Sequence, residues 1–402
     1  MSDMKNEVYR LDELCDIKSG KRIPKGMDFV TFETEHPYIR ARDIKAGKIN
    51  TDDLIYLEDD VFQKIKRYII NSGDIAITIV GASVGDAGYA SKNVDGYNLT
   101  ENAVRLTNYK NNVDSKFLHY VLAQKQYHDY MQLIAGAAAQ PKLGIYKVKR
   151  IKVELPDLKK QKRIADILSA YDNLIENNNK RIRLLEQMAE KLYKEWFVRF
   201  RFPGYKDVEF EEKKPRGWQV GTEDKKHYVP TIFKYDEFIN IGTFVRGKNI
   251  TAAQMVEGKV PVISAGLQPS GYHNEANVHG SNLTISASGA NAGYLQYNLN
   301  DIWVADCSYY QDDATIWFVY NMLKYLQPVI SNLQCGAAQP HVYPKNINKL
   351  CVLIPTEELI HKYNDFVKPY YDEIKILNQH NQLITKQRDM LLPRLMSGKL
   401  EV

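Results

Sequence analysis

Residues 141–192 and 340–391 carry one pattern twice, at a constant offset of 199 positions and with no gap in either copy. A repeat of that length constrains the chain to two equivalent halves, each able to build the same structure. Both copies follow a small-residue loop that ends in Gln-Pro, at Gln140-Pro141 and Gln339-Pro340. Apolar positions then superimpose, Val148 on Ile347, Ile151 on Leu350, Val153 on Val352 and Leu155 on Ile354, and the alternation predicts a strand. Pro156 falls on Pro355 and closes it. A long helical run comes next. Ile164, Leu168, Tyr171, Ile175, Asn178, Ile182, Leu185, Ala189, Leu192 and Trp196 are spaced alternately by four and three, a heptad seam. Tyr363, Val367, Tyr370, Ile374, Leu377, Asn381, Ile384, Arg388, Leu391 and Leu395 repeat the spacing although most identities differ.

Each run covers about 40 residues, roughly 60 Å of helix, more than a compact lobe of this size can cover. Two such helices in one chain are expected to pair with each other, antiparallel if the second half folds back. Asn178 and Asn381 then meet the seam, either selecting its register or marking a splayed end. Thr356 before Glu357-Glu358 is a helix start, and Ser397-Gly398 a stop. The expected order is a globular unit over 1–156, a central helix over 157–201, a second unit over 202–355 and a C-terminal helix over 356–398. With 402 residues, each unit is long enough for its own core.

Strand-period stretches at 73–80 (GDIAITIV), 150–156 (RIKVELP), 281–288 (SNLTISAS) and 348–355 (NKLCVLIP) read as half-buried strands. Helical stretches at 115–132 and 313–327 complete an α+β unit in each half. The openings rhyme too: Ile17-Lys18-Ser19-Gly20-Lys21 resembles Phe244-Val245-Arg246-Gly247-Lys248, and Ala87-Gly88-Tyr89 resembles Ala292-Gly293-Tyr294.

Cys15, Cys307, Cys335 and Cys351 show neither Cys-x-x-Cys spacing nor histidine clustering, so no zinc site or disulfide framework is expected, and a reducing cytoplasm fits. The amino terminus lacks a signal-peptide core, and no apolar stretch reaches membrane-spanning length. The net charge of +5 permits a polyanionic partner without requiring one. Residues 242–249 fall one residue short of a phosphate-binding P-loop, because Asn249 stands where a Ser or Thr would ligate magnesium. Pro156-Asp157 and the acidic run 209–213 are the places a metal-dependent nuclease would start from, at a helix start and in a linker. Neither supports catalysis, and no metal is expected. Candidate DNA contacts are Lys18, Lys21, Arg22, Arg40, Arg42 and Gln140 in the first half, and Arg246, Lys248, Tyr309, Tyr310 and Gln339 in the second. Arg40 and Arg42 point to one side if their stretch is extended, and Tyr309 and Tyr310 are expected just after a strand. Glutamine beside a small-residue loop suits adenine.

Several motifs together resemble the specificity subunit of type I restriction-modification systems: Leu155-Pro156, the run Gln161-Lys162-Arg163-Ile164-Ala165-Asp166-Ile167-Leu168, the run Leu192-Tyr193-Lys194-Glu195-Trp196-Phe197-Val198, and Arg388-Asp389-Met390-Leu391-Leu392-Pro393-Arg394 with Leu395-Met396-Ser397-Gly398. The second copy departs at its helix start, where Ile360-His361-Lys362-Tyr363 replaces Gln-Lys-Arg-Ile. The resemblance implies two α+β target recognition domains, each reading half of a split, asymmetric sequence in double-stranded DNA, separated by two long helices in an antiparallel coiled coil that acts as a ruler. It implies a non-catalytic chain without a cofactor, docking two copies of a methylating subunit that uses S-adenosylmethionine, and joined by restriction subunits that use ATP and magnesium. A coiled-coil adaptor gripping proteins is the alternative.

Overall fold

The computed structural model describes residues 6–136, 139–213, 227–333 and 340–400. The chain divides into two compact units, Met1–Glu176 with Gln382–Val402, and Asn177–Asn381. Along the first half run β1 (Glu7–Arg10), α1 (Leu11–Leu14), β2 (Asp16–Ser19), β3 (Pro37–Ile39), β4 (Ile44–Lys45), β5 (Gly47–Ile49), β6 (Ile55–Tyr56), α2 (Asp59–Ile65), β7 (Ile75–Thr78), β8 (Ala87–Tyr89), β9 (Asn98–Leu99) and β10 (Ala103–Thr107). Then come α3 (Ser115–Leu122), α4 (Lys125–Ala135), α5 (Ile145–Lys149), β11 (Lys152–Leu155) and the long α6 (Leu158–Tyr193). The second half has β12 (Phe210–Lys213), β13 (His227–Pro230), β14 (Lys234–Glu237), β15 (Val245–Arg246), β16 (Val260–Ile263), β17 (Gly271–His273), β18 (Asn282–Ser286), β19 (Leu295–Asn298), β20 (Trp303–Val304) and β21 (Cys307–Tyr310). It closes with α7 (Ile316–Tyr325), α8 (Gln327–Asn332), α9 (Pro344–Asn348), β22 (Cys351–Ile354) and the long α10 (Glu357–Met396).

The first unit has a main sheet ordered β2-β10-β7-β8-β5-β4, a small sheet β6-β3-β9 and the pair β1-β11. The second has β15-β21-β18-β19, β17-β16-β20 and β14-β22, which repeat the neighbours of β2-β10-β7-β8, β6-β3-β9 and β1-β11; among the described residues nothing repeats β5-β4, and the pair β12-β13 is added. Strand β7, expected to be half-buried, is buried on both faces. Ile75 and Ile77 enter one core cluster and Ala76 another, because β7 lies inside the sheet with packing on either side. β11 keeps the expected alternation, with Val153 and Leu155 buried and Lys152 and Glu154 exposed. Val148 and Ile347 were expected in those strands but belong to the short helices α5 and α9. The three-residue step from Val148 to Ile151 is a helical turn, and the strand begins only at Lys152.

The single helices expected at 115–132 and 313–327 are each two. α3, capped by Asp114 Oδ1 on the Phe117 amide at 2.9 Å, gives way to α4, and Pro328 in the first turn of α8 separates it from α7. The opening rhyme is structural: Gly20 N donates to Ala103 O at 3.0 Å, as Gly247 N does to Cys307 O at 2.9 Å. The second rhyme is out of register. Ala87 pairs with Ile77 in the first unit and Leu295 with Ile285 in the second, so Ala87-Gly88-Tyr89 corresponds to Leu295-Gln296-Tyr297.

Both long helices begin at the expected starts and α10 stops at the expected Ser397-Gly398, whereas α6 gives way after Tyr193 to a π-helical turn, Lys194–Val198, short of the expected 201. The Asp157 carboxylate accepts from Lys160 N at 3.0 Å, Thr356 Oγ1 accepts from Leu359 N at 3.4 Å, and Gly398 takes φ +70°. Every seam position is buried or half-buried. In the first unit Ile164, Leu168 and Leu395 share a core with the main sheet, and Arg388 Nη1 lies 2.6 Å from Asp172. In the second unit Arg181 meets Glu373 at 2.7 Å and the Tyr363 hydroxyl donates to Ala189 O at 2.8 Å. As numbers rise along α6 they fall along α10, so the helices run antiparallel within each unit. Asn178 Nδ2 donates to Asn381 Oδ1 at 2.9 Å and Asn381 Nδ2 to Asn179 Oδ1 at 2.8 Å, so the seam is paired there and not splayed. Among the described residues no helix is long and apolar enough to cross a membrane.

Candidate nucleic-acid interface

β2, β7 and β10 alternate in direction, with Ser19 opposite Val104 and Thr78 opposite Ala103. The exit of β2, the exit of β7 and the entry of β10 therefore meet at one end of the main sheet. The Gln-Pro segment joins them, because Gly81 N donates to Pro141 O at 3.0 Å and Leu143 N to Ile79 O at 2.8 Å. The second unit repeats the junction, with Gly289 N to Pro340 O at 3.2 Å and Val342 N to Ala287 O at 3.0 Å. Glycine is required where the opening turn crosses the entry of β10 in the first unit and of β21 in the second. A Cβ at Gly20 would lie 2.1 Å from Thr100 O, and one at Gly247 would lie 2.5 Å from Ala305 O.

Three of the first unit's sequence-predicted residues gather at this end. Arg22 is 77% exposed and its Nε lies 2.6 Å from Glu101 Oε1. Lys21 is exposed, with Nζ 5.7 Å above the Tyr68 ring, and Gln140 is exposed on the Gln-Pro segment. Lys18 lies on strand β2 itself, 3.5 Å from Asp16. The stretch holding Arg40 and Arg42 is not a continuous extended segment, because Arg40 is extended but Ala41–Asp43 is a turn of 3-10 helix. The fork of Arg40 is closed on Asp43 by two bonds of 2.9 Å and the side chain is only 18% exposed. It holds the loop, whereas Arg42 is exposed and meets Asp53 at 2.8 Å.

In the second unit Arg246 pairs with Asp306, and Lys248 is exposed. Tyr309 and Tyr310 lie within β21 and do not follow it. Tyr309 is half-buried. Tyr310 is 3% exposed among Phe238 and Phe244, its hydroxyl 2.5 Å from Thr315 Oγ1, so it is a core residue. Gln339 lies outside the described residues.

Sequence reasoning missed the acids that hold these arginines. Glu101 and Asp306 both sit on the connection that enters β10 or β21, a correspondence visible only once those strands are matched. Burial pushes the Glu101 carboxyl up, but hydrogen bonds from Arg22 and from its own backbone outweigh that and hold it below its ordinary value. Ser288 Oγ donates to Asp306 Oδ2 at 2.5 Å.

The near P-loop does not form a phosphate cradle. The amides of Gly247 and Lys248 donate to Cys307 and Val304, and the segment after Lys248 forms only a short 3-10 turn, Ala252–Gln254, with no α-helix to supply an anion site. Asp157 is a helix cap, and in the acidic run Lys213 pairs with Glu211 at 2.7 Å within β12. Burial pushes the Cys15 and Cys307 thiols up to about 12, away from reactive thiolate. Among the described residues no group of three or more His, Cys, Asp and Glu is placed to hold a metal ion.

Two α+β domains of one topology, each gathering loops at the same sheet end and each built onto paired long helices, define a class. The family model for the type I restriction modification DNA specificity domain matches residues 3–187 and again 231–386, once per repeat, and the chain belongs to that family. It is 27% identical over 312 residues to the type I restriction enzyme MjaIX specificity subunit of Methanocaldococcus jannaschii, covering 73% of this chain and 71% of that protein. The MjaVIII specificity subunit of the same organism is 24% identical over 424 residues, covering 98% and 93%. Among solved structures, the type I restriction-modification S subunit from M. genitalium matches with a TM-score of 0.59 at 18% identity, covering 98% of this chain and 97% of that one. The likeness extends to the fold as a whole.

Proposed function

We propose that the chain is the DNA-reading subunit of a type I restriction-modification complex, with residues 1–156 reading one half of a bipartite, asymmetric target and residues 202–355 the other. The observation that carries this reading is the recurrence, in both units, of exposed basic side chains from the opening turn beside a Gln-Pro segment at one end of the main sheet. Such loops can differ between halves while the sheet beneath stays the same, which suits two unlike half-sites. Residues 157–201 and 356–398 set the half-site spacing and dock two methylating subunits. Large apolar side chains stand exposed on the long helices, Leu174 and Met390 in the first unit and Met188 and Phe366 in the second, which supports partner docking. Methyl transfer from S-adenosylmethionine belongs to the methylating subunits, and ATP- and magnesium-dependent steps to the restriction subunits.

The test is to replace residues 202–355 with the corresponding segment of a relative, express the hybrid with the methylating subunit, and map modified bases across a genome. Half of the modified sequence is expected to change and the other half to stay. A change in both halves, or in neither, overturns the assignment. A protein-gripping adaptor would instead leave no DNA affinity that falls steeply with added salt.

A further inference from the structure

Each unit holds one arginine in the same way at the candidate DNA end. Arg22 is anchored through Nε to Glu101 Oε1 at 2.6 Å, and the other oxygen of Glu101 accepts from the Thr100 hydroxyl at 3.2 Å. Arg246 is anchored through Nη2 to Asp306 Oδ1, and the other oxygen of Asp306 accepts from the Ser288 hydroxyl at 2.5 Å. The arginines occupy different places in the turn, one before Gly247 and one after Gly20, yet each finds an acid on the same connection. One carboxylate oxygen holds the guanidinium and the other is fixed by a hydroxyl, so the acid is engaged on both sides and has a single orientation.

A guanidinium offers two edges of paired N–H donors, Nε with Nη2 and Nη1 with Nη2. The bond to the acid occupies one N–H. In Arg22 this leaves the outer edge whole, and in Arg246 one of the two edges stays whole, with the side chains 77% and 41% exposed. Arg40 is the contrast, since Asp43 closes its fork. The pairing also changes what the arginine attracts. A guanidinium beside a carboxylate is a nearly neutral pair, poorly suited to a phosphate, whereas its oriented donors still match two acceptors on a base edge. Lys248 has no carboxylate partner among the described residues and is the better phosphate contact.

Resting on the DNA-reading function above, we infer that Arg22 and Arg246 each read a guanine through its O6 and N7 in the major groove, one in each half-site, with Glu101 and Asp306 as positioning residues. The test uses the complex with its methylating partner. Specific binding and the modified sequence are compared for wild type, Arg246→Ala, Arg246→Lys, Asp306→Asn and Arg22→Ala. Arg246→Ala is expected to lose on the order of 10- to 100-fold discrimination at a single G·C pair of one half-site, leaving the other half unchanged as proof of folding. Arg22→Ala does the same in the opposite half. Arg246→Lys fails to restore the preference, because lysine lacks the fork. Asp306→Asn blurs the same position, which a merely structural role would not do. The inference is overturned if Arg246→Ala weakens all sequences equally and lowers the salt slope, the signature of a phosphate contact, or if the modified sequence is unchanged. Should Arg246→Ala fail to fold, Arg246→Lys decides: an intact preference sinks the idea. A wild-type complex with no sequence preference would defeat the DNA-reading function itself, a different result from any of these.

Discussion

His119 is buried on α3 with Nδ1 lacking a hydrogen-bond partner, its ring 5.6 Å from Tyr89 and 5.3 Å from Tyr120. The charges facing it are Asp172 on α6 and Arg388 on α10, and Asp172 also accepts from the Tyr120 hydroxyl at 2.6 Å. Burial lowers the imidazole to about 4 from an ordinary 6.5, with Arg388 adding to the effect and Asp172 opposing it. The folded state therefore binds fewer protons than the unfolded state between those values. Stability is full above the unfolded pKa and falls as the pH drops toward the folded one, by up to roughly 3 kcal/mol. His119→Phe keeps an aromatic ring and removes the proton site, so its stability should fall less than wild type between pH 6.5 and pH 4. Urea unfolding across that window measures it, and parallel curves would show that His119 does not titrate this way. Arginines teach a related lesson at this scale. Arg40 and Arg22 are equally basic in the sequence, and only the placement of Asp43 and Glu101 makes one a loop tie and the other an exposed donor.

The helical seam is where sequence and structure agree most closely. The offset of 199 lands on the starts of α5 and α9, of β11 and β22, and of α6 and α10. Heptad spacing is a local property, so one chain segment suffices to reveal it. Two of the misses needed information from a partner strand: β7 is buried on both faces because of its place in the sheet, and the false Ala-Gly-Tyr rhyme is exposed by pairing register alone. The divergent second helix start also has a physical account. Gln161 grips the start of α3, accepting from Asp114 N at 2.9 Å and donating to Asn112 O at 3.0 Å. In the second copy Ile360 stands at its place, and Asn364, one helical turn further along, accepts from Trp317 N at 2.9 Å and donates to Asp313 O at 2.8 Å. The asparagine pair in the seam is the sharper test. Asn381→Leu strands the Asn178 amide, which is only 4% exposed, and should cost about 1–3 kcal/mol. Leucine at both Asn178 and Asn381 should recover that loss, since apolar residues then face each other. Denaturant titration decides, and a double variant less stable than the single one would show that the amides do more than satisfy each other.

At the scale of the whole molecule, a heptad is the unit in which the paired helices can be lengthened. Seven residues keep every seam side chain on its face, whereas the same insertion into one helix alone shifts its seam by a heptad against the other and breaks the existing partner register. Because α10 runs antiparallel to α6 within each unit, matched insertions belong after Glu176 and after Asn381, where the compact units divide. Each adds about 10 Å of helix, close to the rise of roughly three base pairs. If the helices set the half-site spacing, the doubly extended protein should modify DNA whose two halves are unchanged in sequence but separated by about three more base pairs. Recognition chemistry at Arg22 and Arg246 is left intact by that change, so base preference and spacing separate in a single experiment. Modified-base mapping that returned the original spacing would mean that the distance between half-sites is fixed elsewhere, by the docked partners or by bending of the DNA, and that the long helices serve assembly alone.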